Sequence, residues 1–291
     1  MFRVCRWTGM GETAAQLLSR LDGRRRLSEM EPRLFSDDAG PGHGEVVELR
    51  GLEGTGKTEL LYHLLCQCVL PVEVGGLCVE VVFVDTDFSL DMLRLVTILE
   101  NRLEAGLSVS RAEGAVSPVE EALRCCLSRL FVVHCTSSSQ LLLTLHYLET
   151  SVCFRPGVSL LLIDSISAFY WLDRCGGGES LAKQEEKLSK CSALLARLLR
   201  DYRISVVASS HVIRRSSRHS SSSGMDQPFL CRPWQQLVTH RLCCSTAQSG
   251  SNMAATAGSR RQVFTVHCCS SSSSSSRSSS FHVTDAGVEF I

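Results

Sequence analysis

The eight residues Gly51-Leu52-Glu53-Gly54-Thr55-Gly56-Lys57-Thr58 follow the spacing G-x-x-x-x-G-K-[ST] of a phosphate-binding loop. In such a loop, successive backbone N–H groups curve around a polyphosphate, and the helix that follows adds its positive amino end. Gly54 and Gly56 let the backbone approach the phosphates without a Cβ in the way. Lys57 is placed to reach the β- and γ-phosphates, and the Thr58 hydroxyl to ligate Mg²⁺. All eight positions are therefore candidate nucleotide contacts.

Two acidic segments complete the set. Leu160-Leu161-Leu162-Ile163-Asp164 is an apolar run ending in an acid, about a hundred residues after the loop. An Asp at the carboxyl end of a buried strand faces the phosphate crevice and can hold Mg²⁺ through water. Val84-Asp85-Thr86-Asp87 ends the strand that follows the loop's helix. Two readings stand for it: one of its carboxylates orients water toward a γ-phosphate, or the acids form an Asx turn that caps the next helix.

These residues need a scaffold, and the hydrophobic pattern supplies one. Val46, Val47 and Leu49 make a short strand running into the glycine loop, and Leu60 to Leu70 carries leucines at helical spacing. Val79 to Val84 is a near-continuous apolar run, as for a strand covered on both faces. Ser89 to Leu103 is amphipathic, with Met92, Leu93, Val96, Leu99 and Leu103 assigned to one side. A strand at Leu130 to His134, a helix at Leu141 to Leu148, a strand at Leu160 to Ile163, a helix from about Leu181 to Tyr202 and a strand at Ile204 to Ala208 follow. This alternation predicts an α/β fold: a mostly parallel sheet with helices on both faces. Residues 1–44 read as a short lead-in, and 45–291 as one core. Within that core, 212–228 is basic and serine-rich and 270–280 is ten serines and one arginine, so both are expected to be disordered. Leu237 to Cys244, Val263 to Cys268 and Phe281 to Phe290 read as closing strands at one edge of the sheet.

Composition narrows the function classes. Thirty basic residues balance thirty acidic ones, so no global field draws the chain to nucleic acid or membrane, and any DNA contact must be local. The amino terminus, MFRVCRWTGMGE, lacks the apolar stretch of a secretory signal, and no run approaches the roughly 20 apolar residues of a membrane span. A soluble intracellular protein with no membrane partner is expected. Fifteen cysteines without one Cys-x-x-Cys pair fit small buried hydrophobes in a reducing compartment better than a zinc site.

The segments EGTGKTELLYHL, DMLRLVTILE, LLLIDSISAFYW and WQQLV, in this order and spacing, resemble the RecA-like strand-exchange recombinases, and more narrowly their eukaryotic paralogues. The resemblance spans about residues 12–245, with weaker agreement at FHVTDAGVEF. It implies a RecA-like P-loop NTPase core that binds ATP with Mg²⁺ at a subunit interface. It also implies a nuclear role in homologous recombination repair of DNA double-strand breaks, inside a heteromeric complex of recombinase paralogues that supports the main strand-exchange filament on single-stranded or branched DNA. Three departures bear on activity. Active members place a glutamate where Asp87 stands and a polar amide where His211 stands as the γ-phosphate sensor. The helix-hairpin-helix domain common to most relatives does not fit in the roughly 50 residues before the loop. A subunit with at most weak DNA-dependent ATPase activity is therefore expected, the alternative being a working ATPase with strand-exchange activity. The segment after His211 matches a DNA-contacting loop of the family. Its Arg214, Arg215 and Arg218, with no acid before Asp226, suit phosphate contact as well as they suit a solvated loop.

Overall fold

The strand that feeds the glycine loop sets the architecture. In the computed structural model, which describes residues 27–35, 40–107, 118–152, 157–176, 180–212, 230–246, 262–270 and 276–291, β1 (Val46–Gly51) is buried along its whole length. Its neighbours are β5 (Ser205–His211) and β6 (His240–Thr246), both parallel to it. The parallel series continues through β4 (Val158–Asp164) and β2 (Glu80–Asp85) to β3 (Leu130–His134) at the edge. On the other side, β7 (Val263–Ser270), β8 (Ser276–Thr284) and β9 (Gly287–Phe290) extend the sheet antiparallel, giving the order β3-β2-β4-β5-β1-β6-β7-β8-β9. This is the expected α/β sheet with its closing strands.

Alternation along each strand builds two cores. Val47, Leu49, Val81, Phe83, Leu160 and Leu162 face α1 (Lys57–Val69), α2 (Met92–Gly106) and α3 (Pro118–Ser128). Val46, Val82, Val84, Leu161, Ile163 and Val206 face α4 (Ser138–Val152) and the later helices α5 (Tyr170–Gly176), α7 (Glu186–Tyr202) and α8 (Arg232–Leu237), while the short α6 (Leu181–Gln184) lies between α5 and α7 in the chain. A strand covered on both faces buries apolar residues on either side, which is why these runs do not alternate in sequence.

Several expectations are corrected. The predicted helix from Leu181 to Tyr202 is two helices, broken at Glu185. The buried side of α2 is Leu95, Ile98, Leu99 and Leu103, whereas Met92 and Leu93 point outward. Asp91 caps the helix one turn later than the apolar pattern suggests, accepting from the N–H groups of Leu93 and Arg94. Cys125 is exposed, while its neighbour Cys126 is buried.

The lead-in is not peripheral. Leu27, Met30, Leu34 and Phe35 are buried in the same core as α1. Glu31 accepts from Arg33 (Nε 2.7 Å, Nη2 2.9 Å) and from His63 Nε2 (2.7 Å), and Arg102 Nη2 donates to His63 Nδ1 at 2.7 Å. That donation fixes His63 as the neutral tautomer with its proton on Nε2. Burial holds the His63 pKa below the ordinary value, which agrees.

The serine tract is not wholly disordered either. Ser276 to Ser280 lie in β8, paired with Ser278↔His267 and Ser280↔Thr265 of β7. A strand at this edge is held by its backbone ladder and by a few anchors, here Phe281, so it needs few apolar side chains. Composition alone does not register that.

Candidate functional site

The carboxyl ends of the parallel strands converge on one crevice, where open α/β sheets bind ligands. Gly51 ends β1, Asp85 ends β2, Asp164 ends β4 and His211 ends β5. The turn from β1 into α1 is so tight that only glycine fits at two points. A Cβ on Gly51 would lie 2.6 Å from the Cys244 carbonyl oxygen, and Gly56 caps α1 at φ 82° with the Phe281 and Phe264 rings 3.0 and 3.2 Å from where a Cβ would stand. Those rings, stacked with centroids 5.2 Å apart, come from β7 and β8, so the closing strands form the floor beneath the loop.

Lys57 is buried, and its ammonium donates to the carbonyls of Gly51 (3.0 Å) and Leu52 (2.6 Å). Burial pushes it below the ordinary lysine pKa, against the fields of Asp164, Glu53 and Asp87. Thr58 Oγ1 donates to Asp164 Oδ2 at 3.2 Å. Two more hydroxyls hold that carboxylate: Ser89 donates to Oδ2 at 3.0 Å, and Ser209 makes a short contact to Oδ1. Thr58 and Asp164, a hundred residues apart in sequence, thus present hard oxygen atoms side by side at the start of α1, the donor chemistry Mg²⁺ takes. The glycine turn, the buried ammonium and this oxygen pair fit a polyphosphate with its metal.

The two readings of Val84-Asp85-Thr86-Asp87 divide between its two acids. Asp85 is the turn former: its carboxylate accepts from the N–H groups of Ser89 (3.2 Å) and Leu90 (3.3 Å) and lies 3.3 Å from His134 Nδ1. Phe88 follows with φ 54°, a left-handed conformation rare for an aromatic residue, and its ring stacks on His134 with centroids 5.5 Å apart. Asp87 instead faces the crevice, and its Oδ2 lies 3.2 Å from His211 Nε2. Burial opposes ionisation of Asp87, but hydrogen bonds from His211 and Ser165 outweigh it and hold its pKa below the ordinary value. Asp87 and His211, the two residues that the resemblance sets apart from active members, are therefore one contact. Sequence gave no hint of this, because 124 residues separate them.

Sequence reasoning also missed Ser89, Ser209 and Thr86, whose hydroxyl bridges the Ser165 N–H and carbonyl at 2.6 and 2.8 Å. A usable signal existed: Ser209 and Ser210 are adjacent polar residues directly after the apolar run Val206–Ala208 in a buried strand. Arg214, Arg215 and Arg218 lie outside the described residues.

The sequence profile of the Rad51 family matches residues 125–287. The DNA repair protein XRCC2 of Mus musculus is 44% identical across 96% of this chain and 97% of its own length. The chain belongs to the Rad51 family. The XRCC2 homolog of Arabidopsis thaliana is 30% identical over 81% of this chain and 77% of its own length, and the DNA repair protein RAD51 homolog 4 of Bos taurus 27% over 75% and 60%. The Rad51 family is nucleotide-binding, in keeping with the crevice just described. Its RecA-like core is the nine-stranded sheet with its flanking helices. Among the described residues, no helix is long and apolar enough to cross a membrane.

Proposed function

We infer that this chain is an ATP- and Mg²⁺-binding subunit of a nuclear, heteromeric assembly of Rad51-family paralogues that supports the strand-exchange filament in homologous recombination repair of DNA double-strand breaks. Backbone N–H groups of residues 51–58 and the Lys57 ammonium would hold the phosphates, and Thr58 and Asp164 the metal, which would neutralise phosphate charge. The observation that carries the reading is the Asp87–His211 contact at 3.2 Å. It ties up Asp87, the carboxylate that the resemblance puts forward to orient water, while leaving the phosphate loop complete. Binding is thus favoured over turnover.

An edge of the sheet supports a protein partner. β3 is the terminal strand, and beside it Leu143 and Tyr147 of α4 are 68% and 73% exposed around a cavity of about 490 Å³ floored by Phe131 and Val133. An open strand edge beside exposed apolar side chains gains most by being covered. DNA contact through Arg214, Arg215 and Arg218 belongs to the same reading. Replacing all three with Ala should lower the salt slope of single-stranded DNA binding by the assembly.

The test is purification of the tagged chain from cells with its partners identified by mass spectrometry, then nucleotide binding and turnover in the complex. A Rad51-family paralogue should copurify, be lost with Leu143→Asp/Tyr147→Asp, and the complex should bind ATP while hydrolysing it slowly. Turnover by the isolated chain at the rate of an active recombinase, stimulated by DNA, would overturn the reading.

A further inference from the structure

Glu48 lies on β1, three residues before the glycine loop, and is only 3% exposed. Its lateral neighbours are Ala208 on β5 and Arg241 on β6, on the sheet face otherwise lined by Val46, Val206 and Ala208. A carboxylate on such a face is costly unless every oxygen is satisfied. Glu48 meets that demand with three donors from three elements. Oε1 accepts from Ser210 Oγ of β5 at 2.9 Å and from Trp234 Nε1 of α8 at 3.1 Å, and Oε2 accepts from Arg241 Nε of β6 at 2.9 Å. Trp234 itself is buried, in the core that α7 also lines.

The connection runs on into the site. Ser210 immediately precedes His211, whose ring meets Asp87 and whose N–H donates to Ser167 Oγ at 3.0 Å. The next N–H, of Val212, donates to the Gly51 carbonyl at 3.1 Å, the same oxygen that holds Lys57. One buried side chain therefore ties the strand that enters the phosphate loop to the strand end carrying His211 and, on the far side, to α8. Apolar residues of similar volume commonly hold such an interior at least as well, so a satisfied charge network here points to fixing one arrangement.

We propose that Glu48 is a positioning residue that keeps the His211 end of β5 and helix α8 in register with the phosphate loop, so that the presence of a γ-phosphate is transmitted to α8 through Ser210 and Trp234. The inference rests on the nucleotide-binding reading of the site.

The test uses the full chain with Trp7→Phe and Trp171→Phe, which leaves Trp234 as the only indole of the three. Affinities for ADP and for a slowly hydrolysed ATP analogue are measured by displacement of a fluorescent nucleotide, and Trp234 emission is recorded in each state. The analogue should change the emission relative to ADP. Ser210→Ala should abolish that change and cut the preference for the analogue over ADP by about fivefold, as expected for one lost hydrogen bond, with ADP affinity unaltered. Trp234→Phe, made in the wild-type background, should cut the preference similarly. A merely structural network would lower the melting temperature of both variants and leave the preference as in wild type, and that result overturns the inference. If the chain binds neither nucleotide, the binding reading fails. If it binds both and Trp234 emission does not distinguish them, only the coupling fails.

Discussion

Lys57→Met separates the nucleotide role of the glycine loop from its role in the fold. Met keeps the apolar stem packed where Lys57 is 6% exposed and removes only the ammonium. Two hydrogen bonds disappear, yet neither acceptor is orphaned. Gly51 O still accepts from Val212 N at 3.1 Å, and Leu52 O from Thr55 Oγ1 at 2.7 Å. Removing a buried charge also relieves the desolvation that lowers the Lys57 pKa. The cost to stability should therefore stay within about 1 kcal/mol. A charge-assisted hydrogen bond to phosphate is worth about 1.5–3 kcal/mol, so losing one through substitution should weaken ATP binding roughly 10- to 150-fold, and losing two by more. The assays are a fluorescent-nucleotide titration and urea denaturation of the same preparation. Unaltered nucleotide affinity in a folded variant would refute the assignment of the loop. A loss of several kcal/mol of stability would refute the claim that its carbonyls stay satisfied.

Three further outcomes are expected. Burial disfavours the Glu31 carboxylate, but hydrogen bonds from His63 and Arg33 more than compensate and hold its pKa at about 2, against an ordinary 4.5. Because the folded value is the lower one, this stabilisation is complete above pH 4.5 and is lost as pH falls toward 2. Glu31→Gln should cost about 3 kcal/mol in neutral denaturant titrations, with a deficit that shrinks below pH 4.5, and a deficit independent of pH would contradict the linkage. Asp87→Glu alone pushes a longer carboxylate toward the His211 ring, which already lies 3.2 Å away, so the double change Asp87→Glu/His211→Gln should raise ATP turnover in the complex more than either single one; equal rates in all four proteins would remove Asp87 from the chemistry. Arg203 closes α7 at φ 60°, ψ 26°, a conformation costly for any residue with a Cβ, so Arg203→Gly should stabilise the chain by about 0.5–1 kcal/mol, read as a rise in melting temperature.

Where an element is set by contiguous residues, the sequence alone placed it. The glycine loop, its flanking strand and helix, and Asp164 at the end of an apolar run were legible because each depends on local spacing and on burial of both strand faces. The closing strands were legible for the same reason, except where serines carry β8, since a backbone ladder leaves no compositional trace. The lead-in's share in the core went unread: Leu27, Met30 and Leu34 fall at i, i+3 and i+7, but they lie in two separate 3-10 turns, and only packing against α1 reveals them and Phe35 as core. Tertiary structure alone decided the rest. Asp87 meets His211 because β4 alone separates β2 from β5, Glu48 meets Ser210 because β5 lies beside β1, and Gly56 rests on Phe264 and Phe281 because β7 and β8 follow β6 in the sheet. Partners separated by more than a hundred residues meet through strand order and register, which no local pattern in the sequence encodes.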